Sequence, residues 1–265
     1  MSAIRSPAVA GLFYPAAPDE LSHYVRRLLD DTQPQELIPK ALIAPHAGYI
    51  YSGPIAASAY ATLAPIADRI RRVILLGPTH RVAVRGLALP GVDAFDTPLG
   101  RVEVDAAAAQ AIAHLPQVSV SPQAHALEHS LEVHLPFLQS VLPDFRLLPL
   151  AVGMATPEEV AEVLEMLWGG DETLIVVSSD LSHYLPYASA QRTDKQTMQS
   201  ILQLRQPIDH EQACGGTPIN GLILCARRHR LIPHLLDLRN SGDTAGSRDQ
   251  VVGYAALAFT EGKSE

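Results

Sequence analysis

The sequence contains little cysteine and no long apolar segment. Its two cysteines, Cys214 and Cys225, are too few for a disulfide scaffold, so we expect the protein in the reducing cytoplasm. No stretch approaches the roughly 18 apolar residues of a membrane span, and residues 1–7 lack the basic stretch and apolar core of a signal peptide. We therefore expect a cytoplasmic protein that does not cross a membrane.

Basic residues are also outnumbered. Twenty lysines and arginines against 28 aspartates and glutamates give a formal net charge of −8. Apart from short groups at 69–72 and 227–230, the basic residues are scattered along the chain. Non-specific nucleic-acid binding relies on clustered positive charge, so we expect no nucleic-acid partner. Apolar residues make up 47% of the 265 positions, which is ordinary for a packed globular core.

Strand-like and helix-like patterns alternate along most of the chain. This alternation predicts one α/β domain over residues 1–265, a three-layer sandwich with a mixed, mostly parallel central sheet. We expect the two late strands to be antiparallel to each other. The predicted strands are 40–44, 72–76, 86–89, 145–152, 174–177, 231–238 and 251–260, and the predicted helices are 19–31, 52–63, 105–114, 131–141, 156–168, 188–204 and 218–228.

Two histidines follow predicted buried strands after short proline-containing segments. His46 comes two residues after strand 40–44, and His80 comes shortly after strand 72–76. Because the ends of neighbouring parallel strands meet at one edge of a sheet, the two imidazoles are well placed to bind one metal ion. The alternative is that each is a hydrogen-bonded loop histidine.

Two further segments carry reactive side chains at predicted element boundaries. Cys214 precedes a predicted helix, whose first amides favour a thiolate, the form that binds metal; the alternative is a loop cysteine without a role. Asp180 and His183 follow strand 174–177, and a helical turn would place both on one side. A carboxylate beside an imidazole suits a general base, although Asp180 could instead cap a helix.

The segment 128–134 has the sequence Glu-His-Ser-Leu-Glu-Val-His. This is not the zinc-protease order His-Glu-x-x-His, in which the two histidines are four residues apart. From the spacing alone we expect His134 to have a structural role.

Taken together, these segments resemble the Memo family, whose microbial members are also called the B protein of the AmmeMemoRadiSam system. The resemblance covers nearly the whole chain, and the set of short motifs in this order is specific. The motifs are Ala-Gly-Leu-Phe-Tyr-Pro at 10–15, Pro-His-Ala-Gly-Tyr at 45–49 with Ser-Gly at 52–53, Gly-Pro-Thr-His at 77–80, Glu-His-Ser-Leu-Glu-Val-His-Leu-Pro at 128–136, Ser-Ser-Asp at 178–180 with His183, Cys-Gly at 214–215 with Pro-Ile at 218–219, and Gly-Tyr-Ala-Ala at 253–256.

The resemblance implies a fold similar to that of the class III extradiol dioxygenases. It also implies a metal site formed by His46, His80 and Cys214. His183 resembles the acid/base histidine of those dioxygenases, and His129 resembles a second histidine that lines their pocket. The dioxygenases bind iron through two histidines and a glutamate, whereas a cysteine thiolate shifts the preference toward copper or zinc. Ring cleavage therefore does not carry over directly.

Three functions remain open at this point. The first is a redox enzyme that uses iron or copper, with His183 moving protons and Asp180 orienting the site. The second is a zinc hydrolase in which His183 or Glu132 deprotonates a bound water. The third is a protein that binds a peptide or another partner through a vestigial dioxygenase pocket. The resemblance suggests AMMECR-type and radical-SAM proteins of the same system as partners, and a small molecule or peptide as ligand.

Overall fold

The computed structural model describes residues 3–33 and 35–262. Its helices are α1 (Pro18–Asp30), α2 (Tyr49–Tyr60), α3 (Ala106–Ile112), α4 (Pro122–Ala126), α5 (His129–Glu132), α6 (Leu135–Val141), α7 (Pro157–Met166), α8 (Tyr187–Leu202) and α9 (Gly216–Arg228), with short 3-10 helices at Ala61–Ile66 and Ser241–Asp243. Its strands are β1 (Ile4–Arg5), β2 (Pro39–Ala44), β3 (Arg72–Pro78), β4 (Leu87–Leu89), β5 (Ala94–Thr97), β6 (Gly100–Glu103), β7 (Val118–Val120), β8 (Arg146–Val152), β9 (Thr173–Ser178), β10 (His183–Leu185), β11 (Leu231–Asn240) and β12 (Val251–Glu261).

A large mixed sheet forms the centre of the fold. In the described part of the chain it has nine strands in the order β10-β12-β2-β9-β3-β8-β4-β7, and β11 pairs with β12. The central strands β2, β9, β3 and β8 are parallel, whereas β12 is antiparallel to β2, and β4 is antiparallel to β8. The late strands β11 and β12 pair antiparallel, as predicted. The structure confirms the predicted α/β fold with a mixed sheet.

Each face of this sheet packs against its own layer of helices. Side chains alternate along a strand, so Leu42 of β2 faces a core that includes α1, α2 and α6, and Ile43 faces a core that includes α7, α8 and α9. Both side chains are fully or almost fully buried. The three layers therefore follow directly from continuous apolar strands that need cover on both sides. Among the described residues, no helix combines the length and apolarity needed to cross a lipid bilayer.

The observed helix starts agree with the predicted ones where the sequence contains a strong capping residue. Thr156 and Glu159 form a capping box at the start of α7, and Asp105 caps α3 through the amide of Ala108. The predicted helix 131–141 is instead divided into α5 and α6. Pro136 cannot donate a backbone hydrogen bond, so it lies in the first turn of a new helix rather than inside a continuous one.

A second, three-stranded sheet was missing from the prediction. It consists of β1, β5 and β6, which have only two to four residues each and carry little apolar periodicity. Strand β1 pairs with β5 more than 85 residues away, at Ile4 opposite Ala94. Such short strands are stabilised by their partners rather than by their own sequence.

The buried carboxylate of Glu132 anchors the N-terminal segment. It accepts hydrogen bonds from the Arg5 guanidinium at 2.6 Å, from the backbone amides of Ala8 and Val9 at 2.8 and 3.0 Å, and from the Tyr14 hydroxyl at 2.5 Å. Arg5 also donates to the carbonyl oxygens of His125 and Glu128. With four donors and no exposed surface, Glu132 is occupied as a structural acceptor and does not suit the role of a general base.

We expect Glu132→Gln to lower the free energy of unfolding by about 3–5 kcal/mol, because it removes one charge of a buried ion pair. Urea unfolding followed by circular dichroism measures this change. The exposed Asp96–Arg101 pair provides the control, and Asp96→Asn should unfold close to the wild type because water screens that pair. Equal effects of the two substitutions would contradict the anchoring role.

Candidate metal centre

The predicted site residues gather at the carboxyl ends of three adjacent parallel strands. His46 follows β2 by two residues, Asp180 follows β9 by two residues, and His80 follows β3 by two residues. Among residues 3–33 and 35–262, His46, His80 and His129 form a set of metal-binding side chains whose donor atoms all lie within 4.8 Å of one another. We call these three histidines the imidazole group; they could hold one metal ion.

Hydrogen bonds fix which nitrogen of His46 is free to bind a metal. The Ser178 hydroxyl donates its single proton to the carbonyl oxygen of Ser130 at 2.6 Å. At its 2.6 Å contact with Nδ1 of His46, Ser178 Oγ must therefore accept a proton from that ring. The Nε2 atom of His46 then keeps its lone pair. Burial, followed by the charges of the neighbouring histidines, lowers the pKa of His46, which keeps the ring neutral.

Glu128 orients His80 in the same way. Its carboxylate accepts from the backbone amide of His80 at 2.6 Å and contacts Nδ1 of the ring at 2.8 Å. Burial opposes ionisation of Glu128, but the hydrogen bonds from His80 and Ser130 outweigh it and lower its pKa to about 2. An ionised carboxylate only accepts, so Nδ1 of His80 donates to it, and Nε2 is the ring nitrogen left to bind a metal. Carboxylate–imidazole pairs of this kind are typical of metal sites.

His129 completes the imidazole group through the packing of α5 against β3. A side chain at Gly77 of β3 would come within 2.8 Å of Ser130 Oγ, so only glycine permits this close approach. The rings of His129 and His80 stack at 4.6 Å, and those of His129 and His46 meet edge-on at 5.4 Å. Burial, and then the charge of His80, lowers the pKa of His129 to about 4. The structure thus places His129 among the imidazole donors rather than only on the pocket wall.

Cys214 lies beside this group but does not belong to the set defined by the 4.8 Å limit in the described residues. Its Sγ is 3.4 Å from Nε2 of His46. The loop that carries it is tied to the end of β9, since the amide of Cys214 donates to the Asp180 carbonyl and the Asp180 amide lies 3.3 Å from Sγ. Ligation by Cys214 stays a prediction, and the sulfur is close enough to His46 for it.

The expectation of a thiolate at Cys214 is not met in the metal-free protein. Burial, and then the charge of Asp180, raises the pKa of the Cys214 thiol to about 12. Hydrogen bonds from the Asp180 amide and the start of α9 act in the opposite direction but do not outweigh these effects. At neutral pH the thiol therefore carries its proton, and a metal ion would have to displace it.

Asp180 and His183 do not lie on one helical turn, so the geometry that would place both side chains on one side of a helix does not form. Residues 179–182 are irregular, and His183 begins the short strand β10. Asp180 is buried, and its Oδ1 accepts from the backbone amide of His46 at 2.8 Å. His183 is half-buried, and burial followed by the charge of His80 lowers its pKa. Both residues therefore lie close enough to the imidazole group to influence its charge.

Two residues of this site were not identified from the sequence. Glu128 and Ser178 determine which nitrogens of His80 and His46 are free, yet each is an ordinary polar residue in the sequence. For Glu128 the available signal was its position directly before His129. For Ser178 it was the polar end of an otherwise apolar strand.

A cavity of about 730 Å³, within the range of small-molecule sites, lies between the N-terminal segment and the start of α2. Phe13, Tyr14, Tyr24 and Tyr51 line it together with Arg27. The Phe13 ring also contacts the His129 ring at a centroid distance of 4.8 Å. Phe13 therefore connects this cavity to the imidazole group, although none of the three histidines lines it.

Comparison with known proteins identifies the family. The Memo-like protein family matches residues 5–258. The chain belongs to the Memo family. A MEMO1 family protein of Methanosarcina barkeri is 36% identical over 96% of this chain and 99% of its own length. A MEMO1 family protein of Aquifex aeolicus is 34% identical over 97% of this chain and 99% of its own length. The resemblance found from the motifs is thus confirmed.

The fold is also similar to that of a solved structure. An uncharacterized protein from Escherichia coli K12 superposes with a TM-score of 0.55 and covers 82% of this chain and 98% of its own chain. Because the two sequences are 15% identical, this similarity concerns the fold alone.

We expect Glu128→Gln to weaken metal binding by about 10–100-fold, since losing a partner that orients a metal-binding imidazole has that effect. Competition for Zn²⁺ against a chromophoric chelator measures the affinity without redox changes. Glu159→Gln serves as the control, because glutamine can also complete the capping box of α7. Equal affinities for wild type and Glu128→Gln would show that the orientation of His80 does not matter.

Asp180 generates a prediction about pH. Burial raises the pKa of its carboxyl from the ordinary 3.8 to about 7. The protonated acid is favoured in the folded state, so its stabilising contribution is present at low pH and is lost as the pH rises toward 7. In metal-free protein, the stability of the wild type relative to Asp180→Asn should fall by about 1.4 kcal/mol per pH unit between about pH 4.5 and 6.5.

Urea unfolding of both proteins across this pH range provides the measurement. Parallel stability profiles would show that Asp180 has the same pKa in the folded and unfolded states.

Proposed function

We propose that this protein is a metal-dependent oxidoreductase that uses non-haem iron or copper at the imidazole group and acts on a small organic molecule. One observation carries the proposal. Hydrogen bonds to Ser178 and Glu128 occupy Nδ1 of His46 and of His80, which leaves the Nε2 atoms of both rings to bind a metal beside His129. Rings that are held through Nδ1 and have donor atoms this close together suit a cation. Loop histidines without such hydrogen bonds would not be held with their donor atoms together.

The donor set supports iron, copper or zinc. Imidazole nitrogen binds all three metals, and thiolate sulfur favours copper(I) and zinc. His46, His80 and His129 would hold the ion, with Cys214 as a further ligand after loss of its proton. Bound iron or copper would supply one-electron chemistry, and any of the three ions would polarise a substrate oxygen.

The chain itself supplies groups that handle protons. Asp180, with a pKa of about 7 in the metal-free protein, can hold or release a proton near neutral pH. Its Oδ2 lies 4.0 Å from Nε2 of His46. His183 offers a neutral imidazole on the neighbouring strand β10. We propose His183 as the acid/base residue and Asp180 as the residue that orients His46 and balances the charge of the site.

The cavity beside Phe13 is the proposed place for the substrate. Its aromatic wall suits an aromatic or apolar body, and Arg27 offers a positive charge. A peptide side chain would find the same surroundings, so binding of a peptide remains an alternative use of this cavity. From the family resemblance we also propose AMMECR-type and radical-SAM proteins as partners, and a cytoplasmic location.

A zinc hydrolase is the second candidate. The sulfur of Cys214 next to His46 favours it, because mixed nitrogen and sulfur donors suit zinc. Glu132 is excluded from this mechanism by its four structural hydrogen bonds, which leaves His183 as the base. The oxygen dependence of the activity distinguishes the two candidates, because a hydrolase is active under nitrogen whereas an oxidase is not.

The metal site is tested by purifying the protein without added metal and then titrating it with Fe(II), copper and Zn²⁺. We expect one ion per chain in the wild type and loss of binding in His46→Ala and His80→Ala, which each remove a donor. Exposed His114→Ala is the control and should retain the metal. If the wild type rejects all three metals, the proposal is wrong.

The acid/base role is tested with the loaded protein and a panel of small catechols and thiols in an oxygen electrode. We expect His183→Ala to keep its metal and to lose about 10²–10⁴-fold in turnover, the usual cost of removing a general acid or base. Loss of metal together with turnover would instead make His183 a ligand or a structural support.

A further inference from the structure

A buried phenol–imidazole pair joins the end of α2 to the start of α6. The Tyr60 hydroxyl is 2.7 Å from Nδ1 of His134. Neither residue has exposed surface. The proposed metal chemistry uses neither of them, and the sequence suggested only a structural role for His134.

The direction of this hydrogen bond follows from counting donors and acceptors. Nε2 of His134 is buried and has no hydrogen-bond partner. If Tyr60 donates to Nδ1, the N–H at Nε2 is the single unsatisfied group. If Nδ1–H donated instead, both the Tyr60 proton and the Nε2 lone pair would lack partners. Because a buried polar group without a partner is unfavourable, the arrangement with fewer such groups is preferred. Tyr60 is therefore the donor, and His134 is the base that accepts the hydrogen bond.

The surroundings of the pair hold the proton on the phenol in the resting state. Burial raises the pKa of Tyr60 well above its ordinary value. Burial, and then the charge of His129, lowers the pKa of His134 to about 3. Phe137 stacks on the Tyr60 ring at 5.2 Å and excludes water from that face. Proton transfer therefore requires that the phenol first become a much stronger acid, as it does when it loses an electron.

The pair is also connected to the imidazole group. His134 is five residues beyond His129 on the same segment, and the charges of His129 and His46 interact with His134 through buried protein. An oxidised metal ion at the imidazole group would thus act on the pair through His134, which interacts electrostatically with His129 and is hydrogen-bonded to Tyr60.

We propose that Tyr60 is a one-electron redox site that forms a neutral phenoxyl radical, with His134 as its proton acceptor. This inference rests on the proposed metal function. Peroxide would supply the oxidising equivalents by taking up electrons and protons to become water, and a metal ion held by the imidazole group would pass on the demand for one electron. Tyr60 would give up that electron, and its hydroxyl proton would move to Nδ1 of His134, which becomes an imidazolium cation. Return of one electron and of that proton restores the phenol.

Tyr49 provides a matched control within the same core. It is also buried, but its hydroxyl donates to the carbonyl oxygen of Val133 at 2.6 Å. A carbonyl oxygen is a far weaker base than an imidazole, so Tyr49 has no group that can take its proton. The two tyrosines differ mainly in their acceptors, and replacing either one by phenylalanine removes only a hydroxyl.

The experiment mixes Fe(II)-loaded protein with hydrogen peroxide, freezes it rapidly and records electron paramagnetic resonance spectra. We expect a tyrosyl signal that changes with ring-deuterated tyrosine in the wild type and in Tyr49→Phe, and loss of that signal in Tyr60→Phe. A signal that persists in Tyr60→Phe, or that is lost equally in both variants, would overturn the proposal.

A second measurement does not depend on metal. Azide radicals generated by pulse radiolysis oxidise exposed side chains such as Tyr184, and the missing electron then moves to the most easily oxidised phenol. In metal-free wild type and Tyr49→Phe we expect a long-lived phenoxyl absorption, which is lost in Tyr60→Phe. If no metal binds but this result holds, the metal function fails and the redox site stands. An equally long-lived radical in Tyr60→Phe would contradict the redox site itself.

Discussion

The carboxylate of Glu128 is the interaction on which the candidate metal centre depends. Its two oxygens hold the backbone and ring of His80 and the amide of Ser130 at the start of α5. One buried charge thereby fixes the loop after β3, the first turn of α5 and the free nitrogen of His80. Without this carboxylate, the amide and ring N–H of His80 and the amide of Ser130 would lack an acceptor. The stacked rings of His80 and His129 would then no longer be held in position by one shared residue.

The same segment connects the metal centre to the rest of the core. Residues 128–134 present Glu128 and His129 to the site, Glu132 to the N-terminal segment and His134 to Tyr60. Each of these side chains is buried or half-buried and engaged with a different element. The four-residue helix α5 permits these separate contacts because the side chains of a single helical turn point to different sides. The segment therefore connects the metal centre to the N-terminal segment and to the end of α2.

The sequence predicted the parts that depend on local pattern. Apolar runs located β2, β3 and β9, and the short spacing from the predicted strands to His46 and His80 placed both imidazoles at one edge of the sheet. His129 could not be placed in this way, because its position depends on the contact of Ser130 with Gly77, more than 50 residues earlier. The burial that keeps the Cys214 thiol protonated is likewise a property of the folded chain, whereas proximity to a helix start is visible in the sequence.

The central claim is that His46, His80 and His129 bind one metal ion through ring nitrogens. X-ray absorption spectroscopy of protein loaded with one equivalent of Zn²⁺ tests it most directly. The account predicts imidazole nitrogen scattering at about 2.0–2.1 Å, with the outer-shell pattern of histidine rings, and sulfur at about 2.3 Å if Cys214 joins. A shell composed only of oxygen, without histidine outer-shell scattering, would contradict it.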